Sequence, residues 1–149
     1  MTRSIREVIA ELDAFQPANF EEDILEEGFD HLYDVCAELA DTLHPEYGAE
    51  ALFALLERIE GKDLGSPGPA VQALEKLADY QAGLIGSMQR KPTTYTVWMV
   101  NRVLNTPLTP ELRQYWLGLL QATLSHVSAS EETKAEAERF IEYQNSQVV

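Results

Sequence analysis

The sequence predicts an all-α protein of about seven helices, in stacked antiparallel hairpins of HEAT-like type or in a compact irregular bundle. Three observations carry this reading. No stretch alternates apolar and polar residues long enough to make a half-buried strand. Capping residues and helix-breaking prolines punctuate the chain at short intervals. Between them, apolar residues return at the three-and-four spacing of an amphipathic helix.

Ser4-Ile-Arg-Glu7 has the spacing of a capping box and opens a helix to about Phe15, stopped by Gln16-Pro17. Asn19, three residues before Glu22, is expected to cap a long helical stretch reaching about Leu43, with Gly28 as the point where it bends or splits. His44-Pro45-Glu46 reads as a cap followed by proline at the first helical position. The Ala- and Leu-rich helix it opens runs to Ile59 and ends before Gly61. GKDLGSPGP, 61–69, is a loop, and its Pro67 and Pro69 suit the start of a helix from about Ala70 to Arg90. Pro92 breaks that helix, and Thr93 or Thr94 caps the next, about Tyr95 to Asn105. Tyr95–Val100 is rich in β-favouring residues, but the apolar repeat continues through Val103 and Leu104, so a buried helix is expected. Thr106-Pro107 ends it. Thr109-Pro110-Glu111 starts a helix to about His126, and Ser130-Glu131-Glu132 starts the last, to about Gln144, with 145–149 expected to fray. Paired as 20–60, 67–105 and 110–146, these segments have the length of HEAT-type hairpins, within a single domain spanning 1–149.

Composition narrows the function classes. With 149 residues, 45% hydrophobic and 24% charged, the chain can bury a core and is not a disordered segment. No apolar run approaches the roughly 18 residues a membrane helix needs. A single cysteine, Cys36, excludes an internal disulfide, and MTRSIREVIAEL has no apolar leader core, so a cytoplasmic protein without membrane partners is expected.

The net charge of −14 is unevenly spread. Residues 1–60 hold 16 Asp/Glu against 3 Lys/Arg, and residues 61–149 hold 9 against 8. Such a field repels nucleic acid and attracts a basic protein. On a helical wheel of 20–43, Leu25, Phe29, Leu32, Cys36, Leu39 and Leu43 fall on one side. Asp23, Glu26, Glu27, Asp30, Asp34, Glu38 and Asp41 fall on the other, with no Lys or Arg in the segment to relieve them at i,i+4. Two readings follow: a solvated face that serves solubility, or a surface complementary to a basic partner, with imitation of a phosphate backbone inside a nuclease cleft as a further form of the second. The acidic run Glu21–Glu27 does not match a calcium loop, so no metal is expected there.

Nothing else points to chemistry. His31 is placed at a helix edge, His44 at a cap and His126 near a helix C-terminus that favours a cation, and the three make no ligand pair. Cys36 reads as a buried thiol. There is no nucleophile elbow, dinucleotide fingerprint or CxxC, and the glycine-rich 64–69 lacks a phosphate-loop lysine, so neither an enzyme nor a cofactor is expected. Trp98 and Met99 mark a central core helix, with Arg102 expected to pair with a carboxylate and Asn101 and Asn105 with loop backbone. Tyr80, Tyr95 and Trp116 are core candidates first and interface anchors second.

Two stretches, LGSPGPAVQALEKL (64–77) and PTTYTVWMVNRVLN (92–105), in an acidic helical chain of this size, resemble the small bacterial immunity proteins that guard against polymorphic toxins. The resemblance implies a non-catalytic protein that binds one cognate toxin domain, blocks its active site or substrate access, and protects the producing cell and its kin. A monomer is expected rather than a dimer. It supplies no binding residues. The seven carboxylates above, taken from the wheel, are the candidate toxin-facing set. The other reading is a helical adaptor or secretion chaperone that binds another protein or an extended peptide, as a homodimer.

Overall fold

The structure, a computed structural model, describes residues 3–62, 64–65 and 67–147. Among these residues it is helical without strands, with eight α-helices, and the chain divides into two compact units, 1–83 and 84–149.

Unit 1 begins with α1 (Ile5–Ala14), opened by the expected capping box: Ser4 Oγ accepts from the Glu7 amide at 3.3 Å, and the Ser4 amide donates to Glu7 Oε1 at 3.3 Å. Two 3₁₀ turns follow, Pro17–Phe20 and Glu22–Ile24. The long helix expected from Asn19 therefore starts later, as α2 (Leu25–Ala40). The reason is local competition. Asn19 Oδ1 accepts from the Gln16 amide at 2.7 Å, so Asn19 closes the turn behind it instead of capping a helix ahead. Gly28 neither bends nor splits α2. It is buried, and a Cβ there would lie 2.1 Å from the Asn19 carbonyl oxygen, so it allows the 3₁₀ turn to sit against the helix.

Leu32, Val35, Cys36 and Leu39 are buried, as the wheel requires for three of them. Leu43 is the exception, 88% exposed. α2 stops at Ala40, Thr42 Oγ1 donates to the Leu39 carbonyl at 2.7 Å, and the chain turns away before Leu43 can join the apolar face. His44 makes no side-chain cap. Its Nδ1 lies 3.1 Å from Glu46 Oε1, and a 3₁₀ turn, Pro45–Gly48, leads into α3 (Ala49–Arg58). Arg58 donates to the carbonyls of Phe15 (2.7 Å) and Leu12 (2.6 Å), covering the C-terminal end of α1.

α4 (Pro69–Glu75) follows Gly68, whose φ of 92° and close approach to the Leu64 carbonyl exclude any side chain. The helix expected over 70–90 is broken. Asp79 takes φ 57°, and α5 (Tyr80–Arg90) starts anew. Aspartate tolerates this left-handed conformation better than most residues, and no Gly or Pro marks the break. In this unit α1 packs against both α2 and α3, and α4 packs on α2, so the hairpin expected over 20–60 is replaced by a bundle around α1.

Unit 2 is a three-helix arrangement of α6 (Thr94–Leu104), α7 (Pro110–Thr123) and α8 (Glu131–Ser146), each packed on the other two. The expected hairpin 110–146 is present as α7 against α8. Thr93, Thr109 and Ser130 cap as the sequence indicates. α8 stays helical to Ser146 rather than fraying at Asn145, and 148–149 lie outside the described residues. Val97, Met99, Val100, Val103, Trp116, Leu120 and Ala137 form the core.

Two details of α6 differ from expectation. Arg102 is exposed and lies over the Trp98 ring at 5.1 Å, so it is not a buried charge in need of rescue. Asn101 and Asn105 do not serve a loop. Their Oδ1 atoms accept from Gln144 Nε2 at 2.7 and 2.9 Å. Gln144, 1% exposed, also accepts from Arg113 on its side-chain oxygen (3.2 Å) and on its backbone carbonyl (3.0 Å). One buried amide thus ties the three helices together.

Candidate functional site on the acidic face of the second helix

α2 has one apolar arc and a broad polar one, because its carboxylates recur at steps of three and four. Glu26, Glu27, Asp30 and Asp34 are exposed along the helix, and Asp41 is exposed at its C-cap. Asp23 is exposed too, but on the 3₁₀ turn before the helix. Among the described residues none of these six forms an ion pair or a side-chain hydrogen bond.

Glu38, the seventh predicted residue, differs. Arg3 binds it through two hydrogen bonds of 2.8 Å and reaches Glu11 at 2.7 Å with its remaining arm. His31 Nε2 approaches the other Glu11 oxygen at 2.7 Å while its ring rests on Phe15, with centroids 4.7 Å apart. The hydrogen bonds from Arg3, then in the case of Glu11 the one from His31, hold both glutamates below the usual carboxylate range. The same two glutamates raise the Arg3 guanidinium further. Glu38, alone of the seven, is internally neutralised and structural.

The helix dipole sharpens the contrast. Glu26 and Glu27 sit in the first turn of α2, where negative charge is favoured. Glu38 and Asp41 sit at the other end, where it is disfavoured, and no basic residue occupies the last turn. Arg3 compensates Glu38. Asp41 has no such partner, and Asp34 has none in the middle of the helix. The placement of these carboxylates is not what helix stability alone selects.

Beside the stripe lies an apolar groove of about 470 Å³ between α2 and α4. Tyr33, Ala37 and Ala40 form its α2 wall, Ala73 and Leu77 face them, and Cys36 lies at its base. Burial pushes the Cys36 thiol up to about 12, which disfavours the thiolate at neutral pH. Tyr33 is 57% exposed at the rim. Sequence reasoning missed the groove, since it depends on α4 lying against α2.

The remaining candidates are structural. His126 Nδ1 accepts from the Ser128 amide (3.0 Å), and Nε2 faces the Gln89 carbonyl as donor (2.7 Å), so both ring nitrogens are taken up by backbone. Trp116 is buried in the core, whereas Tyr80 and Tyr95 are half-buried. Among the described residues no three His, Cys, Asp or Glu side chains are placed to hold a metal ion, and no helix is long and apolar enough to cross a membrane. No protein-family model matches the chain, and no curated protein or solved structure is significantly similar to it.

Proposed function

We propose that this protein is a non-catalytic immunity-type inhibitor that binds a basic toxin domain through the acidic face of α2 and blocks it. The observation that supports this most is the row of exposed carboxylates without basic partners, on a helix whose own stability gains nothing from Asp34 and Asp41. A surface of this kind accelerates encounter with a positively charged protein and disfavours wrong partners. Nucleic acid and anionic lipid are repelled by the same field. The resemblance of 64–77 and 92–105 to helical immunity proteins adds the class of partner. The adaptor reading shares the surface but takes a peptide client, and is separated from this one by a homodimer in light scattering.

The test is a quadruple charge reversal, Asp23→Lys, Glu27→Lys, Asp30→Lys and Asp34→Lys, assayed against the basic toxin domain that a pull-down from the source cell recovers with the wild-type chain. Binding weakens more than tenfold, mostly through a slower on-rate, and protection of cells expressing the toxin is lost. The wild-type on-rate falls steeply as salt rises. Unchanged kinetics and full protection by the variant would remove the acidic face from the function.

A further inference from the structure

The groove between α2 and α4 is continuous with the acidic face, by the helix repeat alone. Ala37 is in its wall, and Asp30, Asp34 and Asp41 stand seven and three residues before Ala37 and four after it, on the same side of α2. Asp41 also lines the groove itself. The opposite wall carries Lys76, an exposed ammonium without an ion-pair partner among the described residues. An apolar trough is thus bordered by carboxylates on one long edge and by a single cation on the other. Its volume lies in the range of pockets that hold a ligand group, about 300–1,000 Å³. The small side chains of Ala37, Ala40 and Ala73 leave the space open, and Tyr33 stands exposed at the rim.

We propose that this groove seats an apolar anchor side chain carried on a basic segment of a partner protein, with the cationic side of that segment against α2 and its neutral or acidic side toward Lys76. The inference rests on the reading of the acidic face as a binding surface, and adds to it the place where the bound segment is anchored. Charge selects the occupant. A second copy of this chain brings a net charge of −14 against the same carboxylates, and a nucleic acid or an anionic lipid meets the same repulsion. A basic segment with one aromatic residue satisfies both the trough and its border. Anchors of this kind dominate the energetics of protein interfaces, while the charged rim sets orientation and rate.

Two probes decide it: a short Lys/Ser peptide with one central Phe, and its counterpart with a central Ala. Each is titrated into the full chain at low and moderate salt and followed by the NMR shifts of the groove alanines. The Phe peptide binds at least tenfold more tightly than the Ala peptide. Ala37→Trp, an exposed position where a larger side chain fills the trough without entering the core, brings the Phe peptide down to the level of the Ala peptide and leaves the salt-dependent binding of both intact. Ala40→Trp does the same and covers a failure of the first variant to fold. Lys76→Glu tightens both peptides severalfold. Equal binding of the two peptides to the wild type, or a Phe advantage that survives both tryptophan variants, overturns the groove and leaves the acidic face standing. Salt-insensitive binding that survives the quadruple charge reversal overturns the acidic face instead. A dimer of the chain alone that Ala37→Trp abolishes overturns the choice of occupant.

Discussion

The two units place their polar side chains in opposite ways. Residues 1–83 hold 19 Asp/Glu against 5 Lys/Arg, and residues 84–149 hold 6 against 6, so the whole net charge of −14 belongs to the first unit. In unit 2 the amide of Gln144 and the guanidinium of Arg113 point inward and hold α6, α7 and α8 to one another. In unit 1 the carboxylates of α2 point outward, and Arg3 neutralises only Glu38 among the seven. Both units solve the same packing problem with amphipathic helices. The difference teaches that polar residues needed for the fold acquire partners, and that those of α2 left without one are the residues free to serve something outside the chain.

The strongest test of this contrast is Gln144→Leu. It removes the Gln144 amide from Asn101 and Asn105 and one of the acceptors of Arg113, which keeps the backbone carbonyl of residue 144 and that of Leu104, and at this buried position it is expected to cost about 2–3 kcal/mol. Trp98 and Trp116, the two tryptophans of the chain, both lie in unit 2, so the loss reads directly as an earlier tryptophan-fluorescence transition in urea. A loss below about 0.5 kcal/mol would show that the hub is decorative and blur the distinction between the units.

A smaller effect is expected at Arg3→Ala, which tests the one place where the α2 stripe is structural. Glu11 and Glu38 titrate below the usual carboxylate range because Arg3 hydrogen-bonds their charged forms. Groups with lowered folded values contribute stability above the unfolded glutamate range, near about pH 4.3, and lose it as pH falls through the lowered values. Arg3→Ala therefore lowers the melting temperature at neutral pH, and its deficit closes as acid protonates Glu11 and Glu38, which happens at lower pH in the wild type than in the variant. The pair is about one-third exposed, so added salt shrinks the effect. A deficit that persists unchanged in acid would mean Arg3 acts by packing alone.

The smallest effect, and the opposite sign, is expected for Asp34→Asn with Asp41→Asn. Removing two unpaired carboxylates from the middle and the C-terminal end of α2 relieves repulsion and an unfavourable dipole contact, for a gain of a few tenths of a kcal/mol. Rates of Cys36 modification by a thiol reagent report this unit, because Cys36 is its single cysteine and is buried. The gain appears as slower labelling under mild denaturant. A destabilisation by about 1 kcal/mol or more would show that these carboxylates are part of the fold and break the comparison.

Much of this architecture is legible residue by residue. Ser4 with Glu7, Thr109 before Pro110, and Ser130 cap where the sequence places them, and Thr93 is the one of Thr93 and Thr94 that caps, because each bond closes within three residues. The same local reasoning fails at Asn19, which has two turns to choose between, and at 76–79, where Asp79 breaks a helix without the usual Gly or Pro. It fails at Leu43 because the wheel has no knowledge of where the helix stops.

The sequence by itself determined the helical class, most helix starts, the apolar and acidic arcs of α2, and the concentration of charge in the first part of the chain. These follow from bonds and periodicities that span a few residues. Only the tertiary structure decided that Glu38 belongs to Arg3, that Gln144 gathers Asn101, Asn105 and Arg113, and that α4 lies against α2 to make a groove. The physical reason is separation. Arg3 and Glu38 are 35 residues apart, and Gln144 and Asn101 are 43, so each pairing is chosen by how the helices pack and leaves no periodic trace in the chain.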